Sequence, residues 1–302
     1  MELGIVEMEA NFVPGSGNQM GTANALWQSL SPLARLTKVL EIISDSQFGF
    51  VELGAAWINN LSLGVHFSDV KRELDKRKIK ISAICSLMPP NIKTSGPEFN
   101  RKSTKEYLAA VFANASALGV DTVVFGSGKS RMVPKGYPYL DALNDIKEFL
   151  TIADGIISKN SYRIRIAIEP LNTSECNIIN TLGQAYDIAM DVNSPRVGLL
   201  LDLYHAQLQD VSFWDELPAV ISKVFHIHVS QPEDRGWPGH LRRAGSFNFG
   251  KFFDTLMRLS YNEKVSVECN FTNLAEQISP CYKFLSKHVA NTNRKYFREV
   301  RG

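Results

Sequence analysis

Short apolar, β-branched runs alternate with longer amphipathic stretches from one end of the chain to the other, a pattern that predicts repeated βα units with parallel strands. The strand candidates are residues 3–8, 48–53, 80–86, 121–125, 163–169, 197–202, 224–230 and 264–269. Helical patterns such as SPLARLTKVLEIISD, KEYLAAVFANASALG and FGKFFDTLMRLS lie between them. In KEYLAAVFANASALG the apolar positions Tyr107, Val111, Ala115 and Leu118 recur at intervals of three or four, which suits one buried helix face. Gly119 follows this helix and is the expected C-terminal cap before the run DTVVF.

Strict alternation of eight strands with eight helices predicts a closed α/β barrel, a (β/α)8 TIM barrel, as a single domain over residues 1–290. The remaining residues 291–302, NTNRKYFREVRG, read as a basic C-terminal tail. An open doubly wound sheet is the alternative, but its glycine-rich GxGxxG turn after the first strand is missing from the sequence.

Composition narrows the function classes. The chain has 33 basic and 31 acidic residues, a net charge of +2, so no surface-wide basic excess points to nucleic acid or to an acidic membrane. Cys85, Cys176, Cys269 and Cys281 lack CxxC spacing and read as reduced, mostly buried thiols. The N-terminus MELGIVEMEANF carries acidic residues where a signal peptide needs basic ones, and no apolar run approaches the roughly 18 residues of a membrane span. A cytoplasmic protein with no membrane partner is expected.

In a barrel of this kind, chemistry collects where the strands end at their C-terminal side. The run RIAIEPLN ends in Glu169, GLLLDLYH in Asp202 and VSVECN in Glu268, while FHIHVS carries His228 near its end. Each follows a run that should be deeply buried, where an uncompensated charge costs several kcal/mol. One divalent cation, with Mn²⁺, Mg²⁺ or Co²⁺ favoured over zinc by the oxygen-rich set, would compensate all four. His226 and His228 sit two apart on one strand, so both point to the same face of the sheet. They read as one ligand, His228, with a deeper supporting neighbour, His226.

The set IEPLN, LLDLYH, HIHVS and VECN, in this order, resembles the xylose isomerase-like TIM-barrel superfamily, whose members include ketose 3-epimerases, hydroxypyruvate isomerases, inosose dehydratases and endonuclease IV. The spacing of Glu169, Asp202 and His228 is similar to that of the ketose 3-epimerase branch. The resemblance implies a single divalent ion on Glu169, Asp202, His228 and Glu268. It also implies that Glu169 and Glu268 are the catalytic pair, one removing a proton beside a carbonyl and the other returning it through a metal-stabilised enediolate. His205 matches a histidine that touches a substrate oxygen, Glu175 a glutamate that orients it, and Arg235 lies near a substrate-binding arginine. His240 and Arg242 compete with Arg235 for that role. Glu52, ending strand two, matches a glutamate of the pocket floor that is not a ligand of the single metal, and Trp57 or Trp237 would supply an apolar wall against a sugar.

The implied function is a metal-dependent sugar isomerase or epimerase acting on an unphosphorylated ketose or related sugar. A dehydratase or lyase acting on an inosose or a 3-oxo sugar would use the same ion and the same proton abstraction. A non-catalytic sugar-binding barrel is a further alternative. The segment FGSGKSR does not fit a phosphate loop, because Val123 stands where the motif needs glycine. The loop after strand eight, CNFTNLAEQ, has neither glycine nor a basic residue, which favours a substrate without phosphate. Endonuclease IV would need further histidines, yet strand two ends in Glu52 and AICSLMPP has none. A homo-oligomer is in keeping with the superfamily, although no interface is legible in the sequence.

Overall fold

The computed structural model of the chain describes residues 1–7, 29–59, 63–241 and 243–301. Eight parallel strands close in sequence order: β1 (Glu2–Val6), β2 (Phe50–Gly54), β3 (Ile81–Cys85), β4 (Thr122–Phe125), β5 (Arg165–Ile168), β6 (Val197–Asp202), β7 (Val224–Val229) and β8 (Lys264–Val267). Every boundary lies within two residues of its expected place. Met8, the expected end of the first strand, is outside the described residues.

The helices pack outside the strands. Those that follow strands two, three and five are α2 (Phe67–Arg77), α3 (Arg101–Ala117) and α4 (Leu182–Val192), while α1 (Pro32–Ser44) precedes β2. Local sequence sets their ends: Ser31 Oγ accepts from the Ala34 amide with Pro32 opening α1, and Thr181 caps α4 by accepting from the Gln184 amide. Gly119 adopts a φ of 76° just past α3, a left-handed conformation that glycine takes without steric cost. The last helix spans Leu274–Arg301 and thus runs on through the stretch read as a tail.

One layer of core lies between strands and helices, built from side chains such as Leu36, Leu40, Val111, Phe112 and Phe253. Burying each of these stabilises the fold by about 1.5–3 kcal/mol. A smaller cluster, Val6, Cys85, Val124, Ala167, Leu200 and Phe225, fills the barrel interior. Phe225 reaches it through an irregularity of β7: Leu199 pairs with Val224, but Leu200 pairs with His226, so Phe225 is an extra residue. Gly198 makes room for its ring, since a Cβ there would lie 2.5 Å from Phe225 Cε2. Beyond this bulge, His226 and His228 also face the interior, above the phenylalanine plug. All four cysteines are buried, and none forms a disulfide. Among the described residues no helix is long and apolar enough to cross a membrane.

Candidate metal centre and its cavity

Four adjacent strands deliver the acidic cluster. Asp202 is the last residue of β6, His228 the penultimate residue of β7, and Glu169 and Glu268 directly follow β5 and β8. Nδ1 of His228 lies 3.7 Å from Glu169 Oε1, 3.7 Å from Asp202 Oδ2 and 3.4 Å from Glu268 Oε2. One ligating atom from each of the four lies within 4.8 Å of the others. All four residues are buried, and the Nδ1 atom has no hydrogen-bond partner. A buried ring nitrogen without a hydrogen-bond partner, facing three carboxylates at 3.4–3.7 Å, fits a divalent cation with oxygen-rich ligation.

The electrostatics carry the same strain. Burial and the nearby Glu268 and Glu169 push the Asp202 carboxyl up to about 7, against the opposing influence of His205. Burial alone would lower the pKa of His228, but the Glu52 and Glu268 carboxylates overcome it and hold the imidazole well above its ordinary value. Burial would likewise raise Glu268, yet the charged His228 beside it keeps that carboxyl well below the usual range. A divalent cation among these groups would balance the carboxylates without such protons.

A cavity of about 280 Å³ opens over this cluster. Glu169 and Glu268 line it, together with Glu175, His205, Arg235 and the segment 127–130, whereas Asp202 and His228 lie beneath. Ser86, Ser127 and Arg235 on its wall all hold positive φ (50°, 39° and 57°), a strained backbone of the kind that collects at functional sites. Arg235 Nη2 donates to Glu268 Oε2 at 3.1 Å, its Nη1 stands 3.6 Å from Glu175 Oε1, and its guanidinium lies 4.8 Å from the centre of the Tyr204 ring.

His205 was expected to be oriented by Glu175, and the contact is indirect. The two stand 4.0 Å apart, and Asn172 bridges them: its Nδ2 donates to Glu175 Oε1 at 3.1 Å and lies 2.9 Å from His205 Nδ1. The Asn172 backbone amide also donates to Nδ1, at 3.3 Å, which leaves Nε2 as the proton-bearing nitrogen of His205. Asn172 closes the quoted run IEPLN, and its place in a strand-end cluster was its only signal. Asp202 in turn caps the short helical turn that carries His205, its Oδ1 accepting from the His205 amide at 3.0 Å.

Two expected substrate contacts are placed elsewhere. Glu52 is wholly buried, with its carboxylate bonded to His226 and His228, and does not line the cavity. Burial would raise it, but the two imidazoles lower its pKa to about 2. Trp57 has no exposed surface, and its Nε1 donates to Glu7 Oε2 at 2.6 Å, so its ring packs in the core instead of against a ligand. Trp237 does not line the cavity either, and His240 is held by Asp234 at 2.8 Å and by the Trp237 carbonyl. Arg242 lies outside the described residues. In the GKS segment, Arg131 turns inward to donate to the carbonyls of Phe125, Glu169 and Ile179, tying the ends of β4 and β5 together.

The profile of the xylose isomerase-like TIM barrel family matches residues 40–287, and the chain belongs to that family. Within it, the chain is similar to an inosose isomerase of Halalkalibacterium halodurans, at 33% identity over 117 residues, 35% of this chain and 40% of that protein. It is also similar to a probable ketose 3-epimerase of Synechocystis, at 31% identity over 120 residues, 40% of this chain and 39% of that one. The matched segment thus spans about 40% of the length of these relatives. A solved structure of an L-ribulose 3-epimerase superposes with a TM-score of 0.75 at 18% identity, covering 98% of this chain and 97% of the other, and shares the fold.

Proposed function

We propose that the protein is a divalent-metal-dependent sugar isomerase or epimerase that moves a proton beside a carbonyl. The ion would be held by Glu169, Asp202, His228 and Glu268. The observation that carries this reading is the convergence of those four ligating groups around an unpartnered His228 Nδ1, beneath a cavity. A bound divalent cation supplies an electrostatic sink for the charge that a carbonyl oxygen acquires when the neighbouring carbon loses its proton.

The chain's own residues divide the remaining work. Glu169 and Glu268 are the two members of the cluster that face the cavity, so they are the pair that takes a proton from the substrate carbon and returns one to it. Arg235 donates to Glu268 and keeps that carboxylate ionised and aimed. His205, with Nδ1 occupied by Asn172, offers Nε2–H to a substrate oxygen. Protonation of the same carbon from the opposite side gives epimerisation, and protonation of the neighbouring carbon gives aldose–ketose isomerisation. The relatives named inosose isomerase and ketose 3-epimerase support this class of substrate. An unphosphorylated sugar fits best, because the loop after β8 carries no basic residue and Arg235 is already spanned by two carboxylates.

Incubation of the Mn²⁺-loaded protein with ketoses, inososes and 3-oxo-glycosides in D₂O, followed by NMR, tests the reading. Deuterium beside the carbonyl without loss of water is the expected result. A dehydrated product would reassign the protein to the lyases, and no exchange in any substrate would remove the proton-transfer account.

A further inference from the structure

We propose that Glu52 is a positioning residue for the ion. From across the barrel it fixes a proton on His228 Nε2 and so turns the Nδ1 lone pair of that ring toward the three carboxylates. The proposal rests on the reading that this centre holds a divalent cation.

Glu52 is out of reach of any sugar: it has no exposed surface and does not line the cavity. Both of its oxygens nevertheless lie 3.1 Å from His228 Nε2. An ionised carboxylate only accepts hydrogen bonds, so the ring nitrogen must supply the proton. His228 Nδ1 is then the nitrogen left to face a cation, and it is the buried atom without a hydrogen-bond partner. Turning the ring over would exchange Nε2 with Cε1 and Nδ1 with Cδ2, breaking both contacts and presenting a C–H to the acidic cluster.

Glu52 is itself held. Its Oε2 lies 3.0 Å from His226 Nε2, which lies 2.8 Å from Ser266 Oγ. The chain Ser266–His226–Glu52–His228 thus runs from β8 through β7 to β2 and back, below the cluster. The β7 bulge allows it, since the extra residue Phe225 fills the barrel interior while His226 and His228 both still face inward. A carboxylate in this place raises the basicity of the ligating imidazole as well as orienting it, and loss of such a partner typically weakens metal binding by about 10–100-fold.

Mn²⁺ titration of the metal-free protein without substrate, read by the EPR signal of free Mn²⁺, separates this role from catalysis. Relative to the unmodified chain, Glu52→Gln should bind about tenfold more weakly and Glu52→Ala about 100-fold more weakly. In the Mg²⁺-loaded protein, the imidazole ¹⁵N shifts of His228 should report a proton on Nε2, and Glu52→Ala should mix the two tautomers. If Glu52→Ala does not fold, the nearly isosteric Glu52→Gln decides. Unchanged affinity and unchanged ¹⁵N shifts in a variant that merely melts earlier would overturn the proposal and leave the metal reading intact. Failure of the unmodified chain to bind Mn²⁺ would overturn both.

Discussion

Gly126 and Glu169 are matched to one another: a Cβ at position 126 would stand 2.0 Å from Glu169 Oε2. Glycine at the end of β4 therefore creates the space in which the neighbouring strand places its carboxylate. Gly126→Ala should fold, because the obstructed atom is the far end of a flexible side chain, but it should push that carboxylate out of the cluster. Mn²⁺ affinity and turnover should each fall by at least about tenfold. Isothermal titration and initial rates check this, and a fully active Gly126→Ala would separate Glu169 from the ion.

The pH dependence follows from Asp202 and His228. Asp202 is raised from an ordinary 3.8 to about 7, so folding takes up a proton there, and the metal-free protein should lose stability as pH rises between those values. An ion needs the opposite state, with Asp202 ionised and His228 Nδ1 deprotonated, so its affinity should rise with pH. Since His228 is also raised, binding should release close to two protons per ion below pH 7 and about one above it. Calorimetry in two buffers of different ionisation enthalpy counts them. An affinity independent of pH between 5.5 and 8 would contradict the ligand set.

Asn172 joins His205 to Glu175 without touching the cluster's ligating atoms. Asn172→Ala should therefore leave Mn²⁺ affinity unaltered while lowering kcat/KM about tenfold, the equivalent of one hydrogen bond of about 1.4 kcal/mol. Steady-state kinetics beside a metal titration makes the distinction. Equal losses in both would show that Asn172 shapes the ion site itself.

Arg131 is fully buried and donates to three backbone carbonyls. Arg131→Met should lower unfolding stability by about 2 kcal/mol or more, since it leaves buried acceptors short of a charged donor. Urea denaturation measures this, and a change under 0.5 kcal/mol would mean that other donors replace the guanidinium.

The barrel and its acidic cluster were legible because their signal is local. An ionisable residue closing an apolar strand has to be compensated, and Glu169, Asp202, His228 and Glu268 each carry that pattern within a few residues of sequence. What sequence missed depends on contacts across the barrel. Glu52 resembled the other strand-end carboxylates, yet its partners are His226 and His228 on a distant strand. Trp57 offered a ring suited to a sugar, and its full burial and its contact with Glu7 hold that ring in the core. The Phe225 bulge was hidden as well, because VFHIHV is apolar or aromatic at almost every position and its register depends on the neighbouring strand.

The most direct measurement is anomalous diffraction from crystals soaked in Mn²⁺. The expected result is one peak per chain at the centre of Glu169, Asp202, His228 Nδ1 and Glu268, absent from a His228→Ala variant. No peak there, or a peak elsewhere with this cluster empty, would contradict the account.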